Sequence, residues 1–286
     1  MSKPAILTDA RLLELNSRGL IPGPMEEEAA FAQRVEYCLD LSHHLQVPLN
    51  PEVLAHPARD LSYYYDVSID WVPVIFSNAR LTPWHGGCAW IFQENEASPT
   101  GALIQLRQRF HQHKRYLKIY DRDELLRHEL VHVGRMVFEE PRFEEMLAYG
   151  TSSHWFRHWF GPLVQAPWES ILFVLTLAFL CVFDLFLFST GQSHWFEIAL
   201  NLKLIPVGMV ALALVRLARK KWQYRRCLAR LESLFESAAT ARAVAYRLTD
   251  DEVRAFGGFT EEEIRRYASL RSREELRWRV INEAYF

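Results

Sequence analysis

Two long apolar segments, residues 171–188 and 196–215, constrain the fold of this chain more than any other feature. Their polar interruptions are few: Thr176 and Asp184 in the first, Glu197, Asn201 and Lys203 in the second. Each segment approaches the roughly 20 residues that a helix needs to cross a bilayer. A core helix of a soluble protein rarely stays apolar on all faces over such a length. The sequence therefore predicts two transmembrane helices, a hairpin over residues 167–217.

The charges that flank the hairpin predict its orientation. The connecting residues 189–195 contain no Lys or Arg, whereas six basic residues follow the second segment: Arg216, Arg219, Lys220, Lys221, Arg225 and Arg226. The positive-inside rule places that basic side in the cytoplasm, and two spans return both termini to the same side. Anionic membrane lipid is the expected partner of the basic residues. We expect an integral protein of the inner, cytoplasmic membrane type, with its soluble regions in the cytoplasm.

Composition favours a reducing compartment and argues against general nucleic-acid binding. The four cysteines, Cys38, Cys88, Cys181 and Cys227, are widely spaced and form no C-x-x-C pair, which indicates a reducing compartment. The chain carries 33 Lys and Arg against 35 Asp and Glu, a balance that argues against a nucleic acid partner. The first thirty residues lack the apolar core of a cleavable signal peptide.

The segment His128-Glu129-Leu130-Val131-His132 carries the clearest chemical pattern, H-E-x-x-H. Residues four apart share one face of a helix, so both imidazoles can reach one metal ion. A bound Zn²⁺ brings the pKa of its water toward neutrality and polarises a carbonyl group. Glu129 lies beside His128, where a carboxylate can act as general base toward that water. The sequence predicts a zinc site with His128 and His132 as ligands and Glu129 as the catalytic residue.

The surroundings of this motif resemble a known family. A short strand, Arg115 to Tyr120, precedes the His-bearing helix, which is expected to run through Phe138. Pro141 opens a second helix, which carries the segment Phe143-Glu144-Glu145-Met146-Leu147-Ala148-Tyr149. Residues 115–150 are similar to the zincin metallopeptidases of the gluzincin type, which take a third zinc ligand, a glutamate, from the second helix. The resemblance implies a zincin-like domain over residues 66–160. It also implies Glu145 as the third ligand, with Glu144 as the alternative.

The remaining sequence completes an α+β fold. Residues 1–65 carry helical periodicity, and three strands are predicted, over residues 71–76, 88–92 and 102–106. With residues 115–120 they are expected to form a small sheet over the active-site helix. After the hairpin, a helix is predicted to continue to about Tyr246. Residues 218–286 are expected to form a helical cytoplasmic region with three capping boxes: Thr249 with Glu252, Thr260 with Glu263, and Ser272 with Glu275.

Other polar residues are weaker candidates. Peptide hydrolysis requires a donor for the developing oxyanion, and Tyr149, His154 and His158 are all open to that role. His154 and His158, like His111 and His113, lack the adjacent carboxylate of an H-E-x-x-H pair. His85 and Cys88 could form a nucleophile pair, but their spacing alone is weak support.

Together these features predict a membrane-anchored, zinc-dependent metalloprotease that hydrolyses peptide bonds in a protein or peptide substrate. The alternative from another class is a catalytically inactive, zincin-like membrane scaffold whose helical tail binds partners. A metal hydrolase that acts on other bonds is a third possibility. Coordination separates the first two, because a catalytic zinc keeps a position for water whereas a structural zinc is closed by four protein ligands.

Overall fold

The computed structural model of the chain describes residues 7–83, 85–95, 98–164, 167–191 and 195–286. This part of the chain is predominantly helical, with a small sheet and two long apolar helices. The coarse architecture expected from the sequence is therefore confirmed. The zincin-like character of residues 66–160 stays a prediction.

Three helices precede the sheet: α1 (Asp9–Ser17), α2 (Glu28–His44) and α3 (Pro51–Tyr65). The hydroxyl of Thr8 accepts the backbone N–H of Arg11 and caps α1. Each helix turns one apolar face inward, and Leu15, Phe31 and Leu61 are fully buried there. These side chains share a single core with the sheet and with the helix that carries the histidines.

The sheet contains β1 (Val74–Phe76), β2 (Gly87–Phe92) and β3 (Gly101–Leu106) in the spatial order β1-β3-β2. Strand β3 pairs in parallel with β1 and antiparallel with β2, so β2 lies at an edge. The first predicted strand is shorter than expected, because Trp71 and Val72 are buried outside the ladder and the Trp71 indole donates to the carbonyl of Arg18 at 3.0 Å.

The prediction that residues 115–120 form a further strand of this sheet is wrong. They fold back on themselves as a separate ribbon, β4 (Arg115–Tyr116) paired with β5 (Tyr120–Asp121). Leu117 and Lys118 make the turn with positive φ values of 51° and 59°. Such turns usually contain Asn or Gly, so neither residue identified the hairpin in the sequence.

The two helices of the predicted site follow, α4 (Arg122–Gly134) and α5 (Pro141–Gly150). Helix α4 stops before Phe138, the expected end, because the chain turns at Arg135. The buried guanidinium of Arg135 donates to the carbonyls of Tyr246 and Leu248. Gly134 is required at this point, since a Cβ there would lie 2.2 Å from the Tyr246 hydroxyl.

Four helices form the hairpin and its approach: α6 (Trp155–Phe160), α7 (Pro167–Thr190), α8 (Phe196–Leu202) and α9 (Leu204–Phe235). Segments Trp168–Thr190 and Phe196–Phe235 are long and apolar enough to cross a membrane, and only 11% and 6% of their most apolar windows are buried. They are therefore not core helices. Residues 192–194 of the predicted outer connection lie outside the described residues.

Ion pairs join the two arms of the hairpin at two levels. Arg216 binds both carboxylate oxygens of Glu169, at 2.6 and 2.8 Å. Lys203 lies 2.9 Å from the carboxylate of Asp184. The polar residues that interrupt the apolar segments thus neutralise one another in part.

The C-terminal region contains α10 (Ala238–Tyr246), α11 (Asp250–Phe256), α12 (Glu261–Arg271) and α13 (Leu276–Tyr285). The predicted continuous helix to Tyr246 breaks at Glu236, which has a φ of 52°. Two of the predicted capping boxes are confirmed, Thr249 with Glu252 and Thr260 with Glu263. The third is wrong, because α12 runs to Arg271 and makes Ser272 its C-cap, while the Glu275 carboxylate accepts from Arg277 instead.

The C-terminal region packs into the rest of the protein. The Tyr246 ring stacks on Tyr65 with centroids 4.6 Å apart, and its hydroxyl donates to the carbonyl of Val131 at 2.9 Å. The buried Arg247 guanidinium donates to Asn16 at 2.7 Å. Helix α4 therefore contacts both α3 and the Tyr246 side chain of α10.

Candidate metal centre

Helix α4 presents His128 and His132 on one face. Its N-terminus is fixed by Asp121, whose carboxylate accepts the backbone N–H groups of Asp123 and Glu124 at 3.0 and 3.2 Å. One turn separates the two histidines, and their Nε2 atoms lie 3.4 Å apart. Both imidazoles therefore point to a common position, as the i, i+4 spacing predicts.

Helix α5 is oriented by contacts that are distant in sequence. Its first free N–H groups, on Arg142 and Phe143, donate to the two carboxylate oxygens of Asp250 at 2.8 and 3.2 Å. Near its other end, the Tyr65 hydroxyl donates to the carbonyl of Leu147 at 2.6 Å. Phe143 is buried in the second core beside the C-terminal helices. These contacts fix which face of α5 meets the histidines.

Glu145 is the residue that α5 brings to the histidine pair. Its Oε2 atom lies 3.7 Å from His128 Nε2, and its Oε1 atom lies 3.6 Å from His132 Nε2. Two ligand atoms of a tetrahedral zinc ion are about 3.4 Å apart, so the three separations suit one ion. His128, His132 and Glu145 thus form a group of three donors that could hold a metal.

Glu144, the alternative ligand, contacts the other nitrogen of His132. The Nδ1–H of His132 donates to Glu144 Oε1 at 2.9 Å. A carboxylate in this position fixes the tautomer and the ring orientation of a metal-binding histidine. The structure therefore places the adjacent glutamates on opposite sides of the His132 ring, and only Glu145 faces the shared point.

Glu129 is buried next to the histidines and is held from the opposite side by the sheet. Its Oε2 atom accepts the backbone N–H of Ala89, on edge strand β2, at 2.7 Å. Burial raises the pKa of Glu129, although His132 and the Ala89 hydrogen bond act in the other direction. A carboxylate with a raised pKa is suited to taking up a proton and returning it near neutral pH.

The two histidines differ in their electrostatics. Burial, helped by the charge on His132, holds the pKa of His128 well below its usual range. Burial also opposes the charged form of His132, but the Glu144 hydrogen bond and the nearby carboxylates raise its pKa to about 9. Three carboxylates, those of Glu129, Glu144 and Glu145, surround this imidazole pair. The surplus of negative charge favours a divalent cation.

The site lies in the wall of a cleft of about 480 Å³. His128 and Glu129 line it, as does Tyr149, whose ring meets that of His128 edge-on at 4.5 Å between centroids. Burial raises the pKa of Tyr149 to about 12, so its hydroxyl keeps its proton and can donate. Of the three proposed oxyanion donors, Tyr149 alone is among the described residues of the cleft wall.

The other two histidines of that set have different contacts. The exposed ring of His154 lies 3.6 Å from the Glu124 carboxylate. His158 hydrogen-bonds to the backbone of Tyr149 and Gly150, and burial lowers its pKa. Neither geometry suits an oxyanion donor.

The remaining candidates from the sequence are a histidine and a thiol. His111 packs edge-on against Phe76. Burial raises the pKa of Cys88 to about 11, which makes this thiol a poor nucleophile.

Two functional candidates were missed in the sequence, Glu124 and Arg157, and both line the cleft. Glu124 lies one turn before His128, on the same face of α4, and accepts a hydrogen bond from Ser152. Arg157 lies 3.4 Å from the Glu124 carboxylate and also donates to the carbonyl of Ile119. The spacing Glu124-His128-His132 was a usable signal for Glu124. Arg157 lies among aromatic residues, with no spacing that relates it to the histidines.

No family model, curated protein or solved structure matches this chain. The chemistry of the site therefore has to follow from its own residues: two imidazoles and a carboxylate at one point, a second carboxylate behind His132, and a buried Glu129 in an open cleft.

Proposed function

We propose that this chain is a membrane-anchored, zinc-dependent metallopeptidase that hydrolyses peptide bonds with His128, His132 and Glu145 as metal ligands. The observation that carries the proposal is the convergence of these three side chains beside an open cleft that His128 lines. The histidine Nε2 atoms lie 3.4 Å apart, and each lies within 3.7 Å of a Glu145 carboxylate oxygen. A catalytic zinc has three protein ligands and one open position. The group of three found among the described residues has that composition.

When bound, zinc supplies Lewis-acid polarisation of the substrate carbonyl. Glu129 accepts a proton from the water that attacks the substrate carbonyl and returns it to the amine that leaves as the C–N bond breaks. Burial supports this exchange by raising the pKa of Glu129. The Tyr149 hydroxyl donates a hydrogen bond to the oxygen on which negative charge develops. Glu144 holds the His132 ring with its Nε2 toward the shared point.

The two apolar helices support a membrane anchor. Most large side chains on α7 and on the first half of α9 are exposed, among them Leu175, Phe179, Leu185, Phe188 and Leu212. A patch of this size on a soluble monomer would drive association. Since the basic residues 216–226 follow the second span, the positive-inside rule places the cleft on the cytoplasmic side.

Zinc content tests the metal assignment first. The detergent-purified wild type is expected to contain about one zinc per chain, and the His128→Ala variant to lose it. His85→Ala is a matched control, because His85 also lines the cleft but lies outside the donor group. Equal zinc in wild type and His128→Ala would contradict the assignment.

Peptide cleavage tests the activity. We expect a fluorogenic peptide library or casein to be cleaved by the wild type, and cleavage to stop with a zinc chelator and return with added zinc. Zinc binding without cleavage would favour the inactive scaffold. Zinc-dependent hydrolysis of esters but not of peptides would favour the other metal hydrolase.

A further inference from the structure

One end of the cleft is built from the element that leads into the membrane hairpin. Phe156 and Phe160 of α6, and Gly161 after it, line the cleft together with the metal ligand His128. Only a few residues separate Gly161 from Pro167, where the first apolar helix begins. The position of α6 relative to the bilayer therefore sets where the cleft opens.

Contacts with α9 fix that position. Arg216 donates to the carbonyl of Leu163 at 3.1 Å, and Lys221 donates to the carbonyl of His158 at 3.3 Å. The ring of Trp159 lies 4.2 Å from the Lys221 ammonium and 5.0 Å from the Arg225 guanidinium. Lys221 is four residues beyond the predicted span end at residue 217, which is about 6 Å along a helix. In the predicted topology, helix α6 thus lies at the level of the lipid headgroups.

Exposed apolar side chains surround this end of the cleft. We name Leu117, Ile119, Trp155 and Phe156 the apolar rim; their exposed fractions are 54%, 56%, 69% and 67%. The β4–β5 turn supplies two of them and α6 the other two. The two parts are in contact, because Arg157 of α6 donates to the carbonyl of Ile119.

The backbone of the turn supports a role for the rim outside the protein. Leu117 and Lys118 both have positive φ, a left-handed conformation that is unfavourable for residues other than glycine. Local strain of this kind is concentrated at functional sites. Here it directs a leucine outward at the tip of a hairpin, where Asn or Gly would form the same turn without strain.

From these observations we infer that the apolar rim rests in the lipid interface and that the substrate is a polypeptide segment immediately next to a membrane span of another protein. Such a segment leaves the bilayer at the height of the cleft mouth and reaches His128 without crossing open water. The basic residues Lys221 and Arg225 hold the mouth at the headgroup level through their contacts with Trp159. This inference rests on the proposed peptidase function.

Depth measurements test the rim without any need for activity. In nanodiscs of phosphatidylcholine and phosphatidylglycerol, a fluorophore on Leu117→Cys, in a Cys181→Ala background, is expected to be quenched by spin-labelled lipids. Leu270→Cys is the matched control, because Leu270 is 52% exposed but lies on α12, outside the rim. Equal, solvent-like quenching at both positions would overturn the rim contact.

Cleavage measurements test the substrate class. One degenerate decapeptide library is presented free in solution, and again directly beside a single transmembrane helix in the same nanodiscs. We expect cleavage of the tethered library to be at least about 10-fold faster, and Leu117→Asp and Trp155→Asp, but not Leu270→Asp, to reduce that ratio toward one. Equal rates on the two libraries would overturn the substrate class while the peptidase function stands. No cleavage of either library by zinc-loaded protein would overturn both, and the depth measurement would still report on the rim.

Discussion

The Nδ1–H of His132 donates to Glu144 at 2.9 Å, while Nε2 of the same ring lies 3.6 Å from Glu145. Neighbouring glutamates thus contact opposite nitrogens of one imidazole. One suits coordination of a metal ion, and the other fixes the ring that coordinates it. Loss of either carboxylate should therefore weaken zinc binding to a different extent.

Glu144→Gln is expected to weaken zinc binding by about 10–100-fold without abolishing it, because His132 loses a charged acceptor but no ligand is removed. Glu145→Gln should weaken binding more strongly, since it removes a proposed ligand. Competition titration with a zinc-binding dye measures both. Glu139→Gln, an exposed charge removal on the preceding turn, is the control. A larger loss from Glu144→Gln than from Glu145→Gln would exchange the two roles.

Glu129→Gln should lower peptidase activity by about 10²–10⁴-fold and leave zinc content close to one per chain. The amide keeps the size of the side chain but cannot take up the proton. Zinc analysis and peptide cleavage are measured on the same preparation, with Glu139→Gln again as the control. An active Glu129→Gln variant would contradict the assigned general base.

Asp250→Ala is expected to lower the free energy of unfolding by about 0.5–2 kcal/mol, because α5 loses the carboxylate that accepts its first N–H groups. Zinc affinity should fall as well, since α5 carries Glu144 and Glu145. Asp251→Ala is the matched control, because that carboxylate is 88% exposed and forms an ion pair with Arg254 on its own helix. Similar effects from the two variants would show that α5 is not held through Asp250.

The buried Glu252 predicts an acid-sensitive C-terminal region. Burial alone would raise its pKa, but the Arg277 charge, together with hydrogen bonds from Arg277, Thr249 and Trp278, lowers it. A carboxyl group with a depressed folded-state pKa stabilises the fold above its unfolded pKa of about 4.3. That contribution is lost as the pH falls through the folded-state value. Denaturant midpoints should therefore fall below about pH 4.3.

Glu252→Gln should remove part of this acid dependence and cost about 1.5–3 kcal/mol at pH 7, because the buried Arg277 guanidinium loses the Glu252 charge and keeps that of Glu275. Chemical denaturation in detergent from pH 7 to pH 3 measures both effects. Glu262→Gln, an exposed charge removal on α12, should change neither. An unchanged acid profile in Glu252→Gln would assign the pH dependence to other groups.

Topology is tested by cysteine labelling in intact cells. A membrane-impermeant reagent is expected to modify Ser193→Cys, in the outer connection, but not Arg225→Cys, in the basic segment. Cell lysis should make Arg225→Cys reactive and so confirm that the probe is present. The reverse pattern would place the cleft outside the cytoplasm.

The sequence predicted the parts of the site that depend on local geometry. Four residues along a helix place His128 and His132 on one face whatever surrounds them, and apolar length alone indicates the hairpin. It could not choose between Glu144 and Glu145, because adjacent helical residues point about 100° apart. The rotation of α5 is set by Asp250 and Tyr65, both distant in sequence.

The wrong predictions have similar causes. The β4–β5 turn was read as part of a strand because Leu117 and Lys118 occupy positions that usually contain Asn or Gly. The pair Ser272 and Glu275 matches a capping box in spacing. Helix α12, however, extends to Arg271 and makes Ser272 its C-cap, so Ser272 cannot act as an N-cap. Arg157 reaches the cleft through its ion pair with Glu124 of α4, which no spacing in the sequence indicates.

The contact between Asp250 and α5 also determines when, during translation, the site can form. Both membrane segments are translated before Asp250, and domains fold from the N-terminus as the ribosome proceeds. A nascent chain therefore carries His128 and His132 before the carboxylate that secures the glutamate helix has been made. The proposed metal centre can therefore be completed only after both apolar helices have been translated, and the proposed peptidase activity would arise on a chain that already carries its membrane hairpin.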